Sequence, residues 1–317
     1  MNKLAICIRR LGLSLTVLSA MLPLALYSAP AHAQLFHTWV SNSGVDGNPC
    51  TPGSPCATFA RAATQTDDGG EIGCLNSGGY MPSTGLTITK TLTIDCNGTV
   101  GWTNGDPDTY SGSAITINGS GIVVHLRNLS ISGIADRNVN TNGVAIQAAA
   151  AVYIENCTIK NFAQHGIIDQ RTGGGTSLSV KDTYVTNNTG AGIVAAAAAT
   201  NSVVLENVHS AGNTYGLAVG TGNHVAVSRS VMFGNSTAGV EADPGGQLYV
   251  DYTEIANNGT GVQAYGNVAL GNSGIVSNTT GISGTTTSYG NNRIFANFSA
   301  GTAPTPIGGV STDYGQQ

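Results

Sequence analysis

A short stretch with the letters QHGIIDQR holds the side chains best suited to chemistry. In it His165 could act as a general base, and Arg171 could stabilise negative charge beside the carboxylate of Asp169. Asp136 and Arg137 stand about one repeat earlier and could join them as substrate-binding residues. These residues fall in the two longest repeats of the chain, which are expected to protrude as loops. A solvated turn is the competing interpretation.

A second group of side chains occupies one position in successive repeats. Tyr184, His209 and Glu254 share this position, and Lys160 and Phe233 flank it. On stacked strands they would form an outward column, in which an aromatic ring packs against a sugar while polar groups bind its hydroxyls. We predict Tyr184, His209 and Glu254 as substrate-binding residues. The alternative is an ordinary hydrated sheet surface.

Metal-binding motifs are missing from the sequence. It has no His-x3-His or Cys-x2-Cys pair and no EF-hand loop. Its adjacent acids, Asp67 and Asp68, follow a predicted helix. We therefore predict no metal site and no cofactor.

The candidate residues sit in a repeat that shortens from 28 to 19 residues towards the C-terminus. The first and sixth residues of a unit are mostly apolar, and the residues before it alternate as in a strand. The aligned segments are LRNLSISG from 126, IENCTIKN from 154, VKDTYVTN from 180, LENVHSAG from 205, VSRSVMFG from 227, VDYTEIAN from 250, LGNSGIVS from 270 and YGNNRIFA from 289. Short strands at this spacing, without hairpin turns, predict a parallel β-helix.

An asparagine recurs in register after six of these segments, and in the first five a glycine and an apolar residue follow it. The six are Asn188, Asn213, Asn235, Asn258, Asn278 and Asn297. Stacked asparagine side chains can hydrogen-bond along the stack, and glycine permits the bend. We therefore predict an inward asparagine ladder.

The N-terminal part of the chain differs from the repeats. The segment 57–65 predicts a short helix that caps the open end of the first coil, as solenoids require. We predict residues 34–122 as this cap with the first coils, 123–297 as the repeats and 298–317 as a C-terminal tail.

The first 33 residues have the order of a secretory leader. Three basic residues precede an apolar run over 11–26, and Ala31-His32-Ala33 provides a cleavage site. No second apolar run of spanning length follows. We predict cleavage near Ala33, no membrane span, and a secreted, periplasmic or cell-surface location.

Five cysteines follow the leader. In an exported protein, Cys50 and Cys56 are expected to form a disulfide within their Pro-Gly loop. Cys74 and Cys96 are 22 residues apart and could meet on neighbouring coils. Cys157 is left over, and we predict it as a buried thiol.

Charge narrows the range of partners. Without the leader, the chain has nine basic and seventeen acidic residues, which gives a net charge of −8. Nucleic acid and anionic membranes require clustered cations, which are missing, so neither is predicted as a partner. The second residues of successive repeats, Arg127, Glu155, Lys181 and Glu206, alternate in sign and predict a ladder of ion pairs.

Two motifs resemble a known family. The opening WVSNSGVDGNPCTPGSPCATFARAAT, from 39 to 64, and the N-x-x-x-G-[IV] coils of 123–297 resemble secreted right-handed β-helix proteins of the pectin-lyase-like superfamily. This resemblance implies an all-β, right-handed parallel β-helix, and an activity among lyases, hydrolases, epimerases, tailspike depolymerases and adhesins. A lyase would place acidic residues around Ca²⁺, and a hydrolase would show clustered aspartates. The repeats display no hydrolase set of that type.

The functional prediction follows from this resemblance and from the outward side chains. We predict that the protein binds, and could process, an extracellular polysaccharide or cell-surface glycan. The alternative is a non-catalytic adhesion or structural module that presents turns on a stiff rod. Ca²⁺ is expected only for a lyase, and the sequence leaves enzymatic activity and oligomeric state open.

Overall fold

The computed structural model describes residues 35–81, 84–97, 101–104, 112–133 and 141–307, with 101–104 as backbone only. These residues form a right-handed parallel β-solenoid of about nine turns with one short helix, which confirms the predicted fold class. All strand pairs between coils are parallel, so each coil stacks on the one before it at about 4.8 Å.

Three faces of stacked parallel strands run along the solenoid and are termed the first, second and third sheets, with strands numbered β1 to β30 in chain order. The first and third are joined near the C-terminus into one 20-stranded sheet. The first contains β1 Leu35–Val40, β2 Thr66–Cys74, β5 Leu92–Asp95, β8 Val123–Arg127, β11 Ala151–Glu155, β14 Ser177–Lys181, β17 Ser202–Glu206, β20 His224–Ser228, β23 Gln247–Asp251 and β30 Thr305–Pro306. The second contains β3 Gly78–Gly79, β6 Gly101–Asn104, β9 Leu129–Ser132, β12 Thr158–Lys160, β15 Tyr184–Thr186, β18 His209–Ala211, β21 Val231–Phe233, β24 Glu254–Ala256, β26 Gly274–Val276 and β28 Arg293–Phe295.

The third sheet follows the second in each coil. It contains β4 Leu86–Ile88, β7 Ile115–Asn118, β10 Val144–Ala148, β13 Ile167–Asp169, β16 Ala191–Ala195, β19 Tyr215–Val219, β22 Ala238–Ala242 and β29 Ser299–Gly301. Two longer strands, β25 Thr260–Gly271 and β27 Thr280–Gly290, turn the corner and pair within both the third and the first sheets.

Inward columns of aliphatic side chains form the core. In the first sheet, one column consists of fully buried residues from seven successive coils: Leu126, Ile154, Val180, Leu205, Val227, Val250 and Leu270. Burial of each such side chain contributes about 1.5–3 kcal/mol. The same alternation directs every second side chain of these strands outwards.

The asparagine ladder is confirmed. The backbone and side-chain N–H groups of Asn188 donate to Oδ1 of Asn213 at 2.9 and 3.0 Å, and this pattern repeats along the stack to Asn297. A residue with positive φ precedes each ladder position, for example Gly212 and Gly234, and makes the tight turn between the second and third sheets.

The cap helix is confirmed as α1 Phe59–Gln65. It begins two residues later than predicted because the Thr58 side chain accepts the N–H of Arg61 at 3.1 Å and caps it. Phe59 is buried and meets the ring of Tyr80 edge-on at 5.3 Å.

The cysteine predictions are confirmed. Disulfides join Cys50 to Cys56 and Cys74 to Cys96, and Cys157 is a buried free thiol. The predicted leader over 1–33 lies outside the described residues. Among the described residues, none of the helices has the length and apolar character needed to span a bilayer.

Candidate functional site: the outer face of the first sheet

A groove of about 550 Å³ lies on the outer face of the first sheet. The first-sheet strands β17, β20, β23, β25 and β27 form its floor, and outward side chains of these strands line it. One outward position supplies Ser202, His224, Gln247 and Asn267, and the next supplies Ala226, Tyr249, Ala269 and Thr287. Thr285 of β27 lines the groove as well. The groove therefore combines small, amide and hydroxyl side chains with one large aromatic ring.

The corner between the third and first sheets forms one side of this groove. Gly266 lines the groove at this corner. A Cβ atom at Gly266 would collide with the backbone oxygens of Asp243 and Gly246 in the preceding coil. Glycine therefore allows the two corners to stack closely beside the groove.

Tyr249 provides the apolar surface of the groove. Its side chain is 38% exposed, and its ring packs edge-to-face on Tyr289 with the centroids 5.7 Å apart. Partial burial raises the pKa of Tyr249, and the nearby carboxylate of Asp251 raises it further. The phenol therefore stays neutral, as a hydrogen-bonding group beside a ring face.

A cluster of side chains on the same outer face, nearer the N-terminus, was not predicted from the sequence. His125 stacks on Tyr153 with centroids 4.5 Å apart and an interplanar angle of 7°. Nη2 of Arg127 lies 3.4 Å from Nδ1 of His125, and Arg127 Nε donates to Glu155 Oε2 at 2.6 Å. Burial and the Arg127 charge lower the pKa of His125. The signal was available, because His125 and Tyr153 lie two residues before the charged column and so share its face.

The charged column itself is confirmed as a ladder of ion pairs. Arg127 pairs with Glu155, and Lys181 Nζ lies 3.7 Å from Glu206 Oε1. Arg229 adds a contact with Glu206 at 2.6 Å, which is the largest reason that the pKa of Glu206 is lowered.

The predicted column of the second sheet has the expected register. Tyr184 and His209 are neighbours whose rings stack at 5.3 Å and 21°, and Tyr184 is 55% exposed. Val231 separates His209 from Glu254, so Glu254 lies two strands away from the rings. The structure brings two of these three residues together.

The predicted loop around Asp169 is wrong in its geometry. Residues 167–169 form β13, paired on both sides, and Asp169 stacks between the buried residues Ile146 and Ala195. Asp169 and Arg171 are 0% and 1% exposed. These two side chains therefore point into the solenoid instead of into a protruding loop.

The buried pair has a complete set of partners. Arg171 Nε and Nη2 donate to Asp169 at 2.8 and 2.6 Å, and Arg171 Nη1 donates to the carbonyls of Ala149 and Ser177. Bidentate pairing of this kind fixes geometry and compensates both charges. The arrangement links neighbouring coils. In the part of the chain that the structure describes, neither side chain is open to a substrate.

His165 is also engaged by the scaffold. Its Nδ1 accepts the backbone N–H of Ala191 in the next coil at 3.0 Å, and burial lowers its pKa. Asp136 and Arg137, predicted beside it, lie outside the described residues. Within the described ranges, no three His, Cys, Asp or Glu side chains are grouped as a metal ion would need.

Solved structures with the same architecture include a tailspike protein, an alginate lyase and a pectate lyase. Tailspike protein 2 of Escherichia coli O157:H7 bacteriophage CAB120 is similar with a TM-score of 0.59 and 11% identity, over 85% of this chain and 41% of that protein. An alginate lyase from Paenibacillus sp. str. FPU-7 is similar with a TM-score of 0.58 and 14% identity, over 84% and 99%. Pectate lyase Pel9A is similar with a TM-score of 0.50 and 12% identity, over 86% and 76%.

At these identities the similarity is one of fold, and the chain spans less than half the length of the tailspike protein. No curated protein sequence matches the chain. The family model described as the right-handed beta helix region matches residues 113–280, more than half of the sequence. The chain therefore belongs to the right-handed β-helix family, and its structural neighbours lie in the pectin-lyase-like superfamily.

Proposed function

We propose that the protein binds an extracellular polysaccharide along the outer face of the first sheet. The observation that carries this proposal is the groove, in which the Tyr249 ring lies among side chains that both donate and accept hydrogen bonds. Sugar sites combine an apolar ring contact with a few placed polar groups in this way. The proteins of the same fold named as pectate lyase and alginate lyase support a polysaccharide as the ligand.

The repeat of the scaffold suits a repeating ligand. Outward side chains recur at about 4.8 Å along the axis, on the order of the length of one sugar residue. His224, Gln247 and Asn267 present three polar groups at this spacing beside Tyr249. A chain that runs parallel to the solenoid axis could therefore make similar contacts with successive coils.

Cleavage of the bound chain is a second candidate, supported by the cluster of His125, Arg127 and Tyr153. A neutral imidazole can take a carbon-bound proton next to a carbonyl while the neighbouring glycosidic C–O bond breaks, and the departing sugar oxygen takes a proton from water. A guanidinium beside the imidazole can stabilise the negative charge that develops in this step. The lowered pKa of His125 keeps its imidazole neutral near pH 7. Asp169 and Arg171 are too enclosed for this role.

Affinity electrophoresis of the purified protein in gels that contain plant, algal or bacterial polysaccharides tests the binding proposal. We expect at least one polysaccharide to retard the protein, and Tyr249→Ala to abolish the retardation. The matched control is Tyr184→Ala, which removes an exposed tyrosine from the second sheet and should bind normally. Loss of binding in Tyr184→Ala alone would place the site on the second sheet, and no retardation by any polysaccharide would refute the proposal.

Cleavage is tested by incubation of the retarding polysaccharide with the protein. Unsaturated products are followed by ultraviolet absorbance, and new reducing ends are followed in parallel. Products that disappear in His125→Ala, while binding persists, would support cleavage at the His125 cluster. Binding without products would instead support a non-catalytic binding module.

A further inference from the structure

We infer that the groove selects a neutral polysaccharide and excludes polyuronates, an inference that rests on the proposed function. The groove has polar walls without ionic ones. Among the described residues that line it there is no Asp, Glu, Lys or Arg, although five successive coils contribute side chains. Its polar groups come from Ser202, His224, Gln247, Tyr249, Asn267, Thr285 and Thr287.

The nearest described charges are acidic. Asp251 lies two residues after Tyr249 on the same face, and its carboxylate accepts Asn272 Nδ2 at 2.9 Å. Asp243 is exposed at the stacked corner on the other side. An acidic residue therefore stands at each of these two borders of the groove, and the Asp243 carboxylate lies near Glu241, whose pKa it raises after the larger effect of burial.

The described cations on the outer face of the first sheet each contact a carboxylate of the protein. Arg229 and Lys181 both contact Glu206, at 2.6 and 3.7 Å, and Arg127 contacts Glu155. None of these three cations lines the groove. A ligand carboxylate in the groove would have to compete with Glu206 or Glu155 for a positive partner.

A polyuronate would bring one carboxylate with each sugar residue. Each carboxylate placed in the groove would lose hydration without an opposite charge in return, and the Asp251 carboxylate beside Tyr249 would repel it. A neutral sugar avoids both costs. Its hydroxyls can pair with the Gln247 and Asn267 amides while its ring packs on Tyr249.

Two polymers that share one sugar backbone and differ only in charge allow the effect of charge on affinity to be measured apart from that of shape. Polygalacturonate and its fully methyl-esterified, neutral form are compared by isothermal titration calorimetry at low and high salt, together with neutral glucans, mannans and galactans. We expect a neutral polymer to bind with an affinity that salt hardly changes, and polygalacturonate to bind at least about tenfold more weakly. Equal affinity, or binding restricted to polyanions and weakened by salt, would overturn the inference and leave the proposed function standing. No binding to any polymer would overturn both.

A gain-of-function variant tests the same point within the protein. Gln247→Lys places a cation on the floor of the groove, at an exposed strand position where folding should be preserved. We expect it to raise affinity for polygalacturonate about tenfold or more. Val231→Lys, in the second sheet, is the matched control and should not change it. An equal gain in both variants would show nonspecific attraction and contradict selection by the groove.

Discussion

The Asp169–Arg171 pair and the groove around Tyr249 show opposite relations between residue type and exposure. The pair has the side chains of a catalytic site, but both are sealed inside the solenoid. The groove has few reactive side chains and contains alanines, but it is open and continuous over several coils. In this fold, access depends on strand register, and residue type alone does not reveal it.

Strand register explains the difference in detail. Asp169 shares a column with Ile146 and Ala195, which places it in the core. Tyr249 shares a column with Ala226 and Ala269, which faces outwards. Charged side chains in the first kind of column must neutralise each other, whereas side chains in the second remain free for a ligand.

The largest effect is expected from breaking the interior pair. Arg171→Ala leaves the Asp169 carboxylate buried without its partner, and should lower the free energy of unfolding by about 3–5 kcal/mol. The double variant Asp169→Leu with Arg171→Met should recover most of this loss, because it removes both charges and fills the space. Urea unfolding followed by circular dichroism measures both variants.

The exterior pair provides the control for this prediction. Arg127→Ala breaks a partly exposed ion pair with Glu155 and should cost only about 0–1 kcal/mol. If Arg127→Ala and Arg171→Ala had equal costs, the distinction between interior and exterior pairs would not hold.

A smaller effect is expected from one rung of the asparagine ladder. In Asn235→Leu the N–H groups of Asn213 lose their acceptor and the carbonyl of Ser210 loses a donor. Each buried group left unsatisfied costs about 1–3 kcal/mol. Asn267→Leu, at an exposed position of the groove, is the control and should leave the thermal unfolding temperature nearly unchanged. An unchanged unfolding temperature in Asn235→Leu would contradict an energetic role for the ladder.

The sequence predicted the features that every coil must repeat. Columns such as Leu126, Ile154 and Val180 occupy equivalent positions because each coil rests on the previous one. The same constraint made the ladder from Asn188 onwards visible. The disulfides could also be predicted, since the spacing of the cysteines and the predicted export limit which cysteines can meet.

The site could not be predicted in the same way, because it depends on where the repeat varies. The unit that contains Asp169 is long, and this length suggested a loop although Ile167 and Asp169 alternate as in an inward strand. His125 and Tyr249 occupy outward positions, where the scaffold imposes no pattern and the residue type changes from coil to coil. The shape of the groove also depends on the stacked corners, which a single repeat does not specify.

The smallest predicted effect concerns Cys157, an interior group without an opposite charge. Burial raises its pKa from 9.0 to about 12, and its Sγ lies 3.3 Å from the Glu155 carbonyl. Because the folded-state pKa is the higher one, stability from this group is present below about pH 9 and is lost as pH rises towards 12. The loss should be about 1 kcal/mol at pH 10.

The variant Cys157→Ala isolates this contribution from that of other groups that titrate in alkali. It should flatten the decline of unfolding free energy between pH 8 and pH 10 relative to the unmodified protein, whatever its effect at neutral pH. Iodoacetamide should label the native thiol only at the rate of unfolding, since the thiolate is the reactive form. Rapid labelling of the folded protein, or equal pH slopes in the two proteins, would mean that the interior of the solenoid admits solvent at Cys157. The contrast with the groove would then be one of degree, because water would reach both regions.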